Sequence, residues 1–274
     1  MPPSAIPAMA YSGCEPMSEL LQIHTDERGV CTLTLNRPER HNAFNAELIE
    51  RLITDIALAN EDPSVRVLVL TGAGQSFSSG ADLGWMQEAA GQDEATNRED
   101  AERLAALMRI LYELDKPTVA RVNGPAYGGG LGLIACCDIA IACTAAKFAF
   151  SEVKLGLIPA VISPYILNAI GPRQARRLFL TGEPFSAVEA QAMGLVHQAV
   201  EPDQLDATVE RQITLLLTAG PAAQRECKHL LRRFDFENAD GELAALIATL
   251  RASPEGQAGL TAFLSKTRPP WIKD

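Results

Sequence analysis

The stretch Lys116 to Asp138, KPTVARVNGPAYGGGLGLIACCD, constrains the fold more than any other part of the chain. Pro117 cannot donate to a ladder and so belongs at the start of a strand. Thr118 to Val122 is a short β-branched run with strand composition. Asn123-Gly124-Pro125 then turns the chain. Gly128, Gly129 and Gly130 follow, and the small apolar run Leu131 to Cys137 predicts a buried helix. A strand, a turn, three glycines and a helix bring bare backbone N–H groups up to a ligand. Glycine removes the Cβ that would block approach, and a helix N-terminus favours developing negative charge.

Three glycines alone fit a tight loop packed on a neighbouring backbone equally well. A dinucleotide fingerprint fits poorly, because its third glycine would fall on Leu133, and no Gly-Lys-Ser or Gly-Lys-Thr follows to make a P-loop. A second turn supplies a partner. Val65 to Thr71 is a strand pattern, and the small residues Ser78 to Ala81 separate it from a helix expected over Asp82 to Ala90. If adjacent in the fold, the two turns can each offer one N–H to a single oxygen, which is the recipe for an oxyanion hole.

The blocks FSSGADL (77–83), NGPAYGGGLGLIACCDIAIA (123–142) and FAFSEVKLGLIPA (148–160), in this order and spacing, resemble the enoyl-CoA hydratase/isomerase (crotonase) superfamily from about Leu20 onward. The resemblance implies an α/β fold, a spiral of β-β-α units with a C-terminal helical trimerisation region, and a homotrimer or a dimer of trimers. It implies that the N–H groups of Ala81 and Gly129 bind a thioester oxygen as it becomes an enolate. Ala43, Ser79, Gly80, Asp82, Leu83, Tyr127 and Gly128 then belong to the substrate-binding segments. In the family the loop matching Asn36 to Phe44 contacts CoA, which makes Arg37 and Arg40 candidates near its phosphates. On pattern alone these arginines are solvated surface, and His41 is structural. Trp85 and Met86 read as core by spacing, whereas the matching family segment lines the acyl pocket.

Glu152 lies between apolar stretches, where burial raises a carboxyl pKa towards the range useful for acid–base work. Taken alone it reads better as a solvated glutamate or a partner of Lys154; the resemblance reverses that reading, because the position matches one of two catalytic glutamates. The other is missing, since Gly132 stands at its position. Glu152 acting alone, a water held by a group such as Tyr127, or a double-bond shift needing one shuttle base would each accommodate that departure. Ile158 to Tyr165 (IPAVISPY) replaces a glycine-rich turn, and the wording SEVKLGLIPAVISPY resembles bacterial hydratases of 3-methylglutaconyl-CoA and isohexenylglutaconyl-CoA. The implied activity is therefore hydration of a branched 2-enoyl-CoA. An enoyl-CoA isomerase, or a non-catalytic acyl-CoA-binding relative, remains the alternative.

The formal net charge of −10 argues against nucleic acid or an anionic membrane as the main partner. The six cysteines lack metal-ligand spacing and fit buried thiols in a reducing compartment. A cytoplasmic enzyme without metal or redox cofactor is expected, with CoA entering as part of the substrate. In chain order, residues 1–18 read as a disordered tail and 19–202 as the spiral core. Within the core, Leu20 to Asp26 and Val30 to Leu35 form a hairpin, and helices span Ala46 to Ala59 and, after a polar segment at 91–100, Ala101 to Leu114. Asp138 to Ala142 and Lys147 to Phe150 are strands. Gly171-Pro172 separates two helices, Ser186 to Glu189 is a capping box, and Leu195 to Val200 is a strand carrying a structural His197. Residues 203–274 form the helical region, in which Phe263 and Lys266 match the family's aromatic and lysine near the adenine and phosphates.

Overall fold

The first described elements form a hairpin, β1 (Leu21–Thr25) and β2 (Val30–Leu35), paired antiparallel, with Leu, Ile and Thr alternating with polar residues in β1 and Thr with Leu at the end of β2. In this computed structural model, residues 20–82, 84–86, 93–233, 254, 255, 258, 262 and 265–271 are described. The expected N-terminal tail lies outside them. The hairpin turn closes on Gly29, whose φ of 84° lies in the region glycine tolerates.

From β2 onward all neighbours in the main sheet are parallel: β3 (Val67–Gly72), β4 (Thr118–Val122), β6 (Ile139–Cys143) and β9 (Gln198–Val200) extend it in the order β1-β2-β3-β4-β6-β9. Every residue of β3 is buried, as a parallel strand covered on both faces requires. A second, smaller sheet holds β5 (Ala126–Tyr127), β7 (Lys147–Ala149) and β8 (Phe185–Ser186). Single bridges, Ser78 to Ala126 and Phe44 to Ala81, continue it outward.

The chain therefore repeats one path: a main-sheet strand, a short extended segment in the second layer, then a helix. Strand β2 leads through Phe44 to α1 (Ala46–Glu61), β4 through β5 to α3 (Gly129–Cys136), and β6 through β7 to α4 (Ser163–Thr181). Strand β3 leads through Ser78 to Ala81 into helical residues 84–86, with α2 (Glu94–Glu113) following. This is the expected spiral of β-β-α units.

Helix α1 is capped by Asn45, whose side chain accepts from the Leu48 N–H, and it buries Leu48, Ile49, Leu52, Ile56 and Ala59 on one face. Helix α2 begins seven residues before the expected Ala101. The Asp93 side chain accepts the Thr96 N–H at 2.9 Å, and the polar residues that read as a loop form the exposed first turns. Helix α3 begins at Gly129, so two of the glycines lie in its first turn rather than before it. Gly171 breaks α4 with φ 71° and ψ 163°, as its Gly-Pro pair predicts. The capping box at Ser186 and Glu189 opens α5 (Ala187–Met193). Strand β9 starts later than expected because the His197 ring, through Nδ1, accepts the Ala140 N–H at 3.0 Å and replaces a ladder bond.

Helices α6 (Leu205–Thr218) and α7 (Pro221–Arg233) follow, with no strand after β9 among the described residues. Lys228 of α7 is nearly fully buried; its Nζ donates to Asp138 Oδ2 at 2.6 Å and to the Lys116 carbonyl at 3.0 Å. Trp271 Nε1 donates to the Thr218 carbonyl at 3.0 Å, tying the end of the chain back to α6. Cys31, Cys136, Cys137 and Cys143 are buried free thiols, and burial pushes Cys137 up to about 12. No helix among the described residues is long and apolar enough to cross a membrane.

Candidate active site

The two glycine-containing turns are neighbours. The Phe77 N–H donates to the Pro125 carbonyl at 3.0 Å, and the Tyr127 N–H to the Ser78 carbonyl at 2.9 Å, so residues 77–81 run beside 125–130. Close approach explains the glycines. A Cβ on Gly130 would lie 2.6 Å from the Ser78 carbonyl oxygen, and one on Gly80, at φ 80°, would lie 2.7 Å from that of Tyr127. Phe44 joins both turns: its N–H donates to the Gly80 carbonyl at 2.7 Å and its carbonyl accepts the Asp82 N–H at 2.8 Å. Because groups of Gly80 and Asp82 face Phe44, the alternation of an extended chain turns the Ala81 N–H the opposite way. The Phe44 ring packs against Gly129, whose Cβ would meet Cε2 at 2.9 Å.

Gly129 is the first residue of α3, where N–H groups have no partner within the helix and the dipole is positive. The N–H of Gly128 before it donates to the Ala149 carbonyl at 3.2 Å. The Ala81 and Gly129 N–H groups are thus presented from adjacent segments, as an oxyanion hole requires. A Gly80→Ala variant is expected to force these segments apart. It should lose about 1–3 kcal/mol through the strained φ and about 10²-fold in turnover through the displaced donor, read by urea denaturation and by steady-state rates.

Glu152 opens a short 3-10 turn after β7. Its carboxylate lies over the α-carbon of Gly128, where a Cβ would come within 2.9 Å of Oε1. Oε2 is buried without a hydrogen-bond partner. Burial pushes the carboxyl above its usual value. Lys154 is not its partner; the Lys154 side chain lies against Gly182 instead. A carboxyl group with a raised pKa, one unsatisfied oxygen and two N–H donors alongside can exchange a proton with a bound molecule whose oxygen gains charge.

The loop before Phe44 is a scaffold for these two turns. Arg37 donates from Nη1 to the Ala43 carbonyl at 2.6 Å and from Nη2 to Asp82 Oδ2 at 2.9 Å, and both side chains of this ion pair are largely buried. Asp82 Oδ1 accepts the Gly84 N–H at 2.8 Å. Burial would raise the Asp82 pKa, but the Gly84 N–H and the Arg37 guanidinium outweigh it and hold the carboxyl below the usual range. Asn42, fully buried, donates from Nδ2 to the carbonyls of Ala73 and Ser76 at 2.9 and 2.8 Å and accepts the Arg37 N–H at 2.9 Å. The Ser79 N–H donates to the His41 carbonyl at 2.9 Å.

Several residues expected at the ligand have partners inside the protein. Arg37 is not a free cation for phosphates, because Asp82 and Ala43 engage its guanidinium; Asp82 and the Ala43 carbonyl are likewise occupied inside the protein. Arg40 is exposed. His41 is structural, with Nδ1 3.0 Å from Ser76 Oγ. Tyr127 is half-buried and contributes its backbone to the contact with Ser78. Trp85 is half-buried, packs on the core and donates from Nε1 to Asp100 Oδ2 at 3.3 Å. Lys266 is exposed, in a turn at φ 54°. Leu83 and Phe263 lie outside the described residues. Asn42 escapes the sequence reading: its φ of 55°, a conformation asparagine tolerates, and its buried hydrogen bonds appear only in the fold.

At Gly132, where a second glutamate would stand, there is no room for a side chain. A Cβ would lie 2.3 Å from Ile162 Cγ2 and 3.0 Å from Met108 Sδ. Among the described residues no group of His, Cys, Asp and Glu is arranged to hold a metal ion.

Relatives with this architecture are numerous. A crotonyl-CoA hydratase of Syntrophomonas wolfei is 33% identical over 251 residues, covering 90% of this chain and 95% of its own. A solved enoyl-CoA hydratase from Shewanella pealeana superposes with a TM-score of 0.89 at 40% identity, covering 93% of this chain and 97% of its own. Pseudomonas aeruginosa AtuE superposes with a TM-score of 0.89 at 34% identity, covering 93% of this chain and 100% of its own. The sequence profile described as Enoyl-CoA hydratase/isomerase matches residues 25–274. The chain belongs to the enoyl-CoA hydratase/isomerase family.

Proposed function

We propose that the protein is an enoyl-CoA hydratase, a hydro-lyase that adds water to a 2-enoyl-CoA thioester. The observation that carries this reading is the buried, unpartnered Glu152 Oε2, its carboxylate lying over Gly128 at the start of α3, next to the segments that present the Ala81 and Gly129 N–H groups. The two donors bind the thioester oxygen, so electron density drawn from the C2–C3 double bond collects where the N–H groups and the α3 dipole stabilise it. Water bonds to C3 as the π pair shifts to give the enolate. One water proton passes to Glu152, and the protonated carboxyl delivers a proton to C2. Water is added across the bond and the carboxylate is regenerated.

The branched, 3-methylglutaconyl type is the preferred acyl class. The resemblance of the Ser151 to Tyr165 segment supports it. No metal or redox cofactor takes part in this reading, CoA belongs to the substrate, and a homotrimer or dimer of trimers in the cytoplasm is its expected setting.

One observation favours a second reading. A site with Glu152 and no carboxylate at Gly132 suits an isomerase, which needs only one shuttle base. Mass spectrometry of crotonyl-CoA, 3-methylglutaconyl-CoA and a 3-enoyl-CoA incubated with the protein separates the two. A gain of one water supports hydration, whereas a moved double bond at unchanged mass supports isomerisation. No conversion by a protein that still binds acyl-CoA would support a non-catalytic relative.

A further inference from the structure

The position of the absent glutamate is filled. Gly132 lies one helical turn beyond Gly128, so about 6 Å separates its α-carbon from the one that supports the Glu152 carboxylate. Ile162 reaches into the space a side chain at Gly132 would need, with Met108 of α2 beside it. Ile162 is 3% exposed and Met108 is 0% exposed, so the contact is closed to solvent. A glutamate simply lost from a two-carboxylate site would leave a cavity of side-chain size, and cavities are costly in a core. Here the replacement turn Val161-Ile162-Ser163 and the glycine are complementary. Two departures that look independent in the sequence meet at one contact.

We propose that Ile162 is a specificity-determining residue: packed on Gly132, it closes the second carboxylate position and commits the site to chemistry in which Glu152 alone handles both protons. The kinetic half of this inference rests on the hydration reading; the packing half does not. Bulk water has no polar anchor at the Ile162–Met108–Gly132 contact, so the reacting water must be held from the Glu152 side. The site is arranged for one carboxylate rather than decayed from two.

A double-mutant cycle tests the pairing. Gly132→Glu alone should lower the melting temperature by about 5 °C or more, because the new side chain overpacks a closed contact. Gly132→Glu combined with Ile162→Gly should recover most of that loss relative to Ile162→Gly alone. The double variant should also hydrate crotonyl-CoA about 10²-fold faster than Ile162→Gly, the low end of what a positioned acid–base group supplies. Its pH–rate profile should show an additional ionisation, which packing alone would not create. Additive melting-temperature changes would overturn the pairing. A double variant with restored stability but the rate and pH profile of Ile162→Gly would overturn the commitment to one carboxylate. A wild type that adds water to no thioester, with the thermal coupling intact, would overturn the hydration reading and with it the kinetic half, leaving the packing pair standing.

Discussion

Replacing Glu152 by glutamine is expected to lower enoyl-thioester turnover by about 10²–10⁴-fold, the range for losing a positioned general acid–base group. Thioester binding should persist, because the Ala81 and Gly129 donors are main-chain groups that the substitution leaves in place. The same variant is expected to be at least as stable as the wild type near neutral pH. Glu152 titrates above its ordinary value because burial penalises the charged form. Stability from the neutral carboxyl is therefore fully present below the unfolded-state pKa and is lost as pH rises through the raised folded value. Glutamine never becomes charged, so the variant escapes that loss. Urea denaturation across the acid-to-neutral range should show the two proteins diverging upward in pH, with the variant on top.

Arg37→Ala is expected to cost about 3–5 kcal/mol, the range for breaking one partner out of a buried ion pair. Asp82 would keep its Gly84 N–H but lose its cation, and the Ala43 carbonyl would lose its donor. The oxyanion turn would loosen because Asp82 follows Ala81 directly. Turnover should fall even where the variant is folded, and Arg37→Lys should recover little, since one ammonium cannot reproduce the two-pronged guanidinium contact. The sign with pH is opposite to that of Glu152. A lowered Asp82 pKa contributes stability above its unfolded value, and that contribution disappears as pH falls through the folded value. The stability gap between wild type and Arg37→Ala should therefore narrow in acid.

The contrast between these residues shows what a sequence can carry. Strand β4 falls at its expected bounds, Thr118–Val122, and the glycine turn lies beside its partner, because proline, β-branched and glycine preferences act over a few neighbouring residues. Helix α2 begins seven residues before its expected start for the complementary reason: its first turns face solvent, and an exposed polar helical turn has the composition of a loop. Arg37 and Asp82 are 45 positions apart, and nothing local distinguishes a buried arginine from one waiting for a phosphate. Gly132 and Ile162 each stood out as departures from the family pattern, yet only packing reveals them as one contact. Glu152 lay between, with flanking apolar residues that signalled burial but not the unpartnered oxygen.

The most direct test of the central claim is hydration of a 2-enoyl-CoA in deuterated water, followed by NMR assignment of the product's configuration at C2 and C3. One carboxylate serving both carbons predicts the hydroxyl at C3 and the deuterium at C2 on the same face, and virtually no product from Glu152→Gln. Addition to opposite faces, or product formed by Glu152→Gln at the wild-type rate, would contradict it.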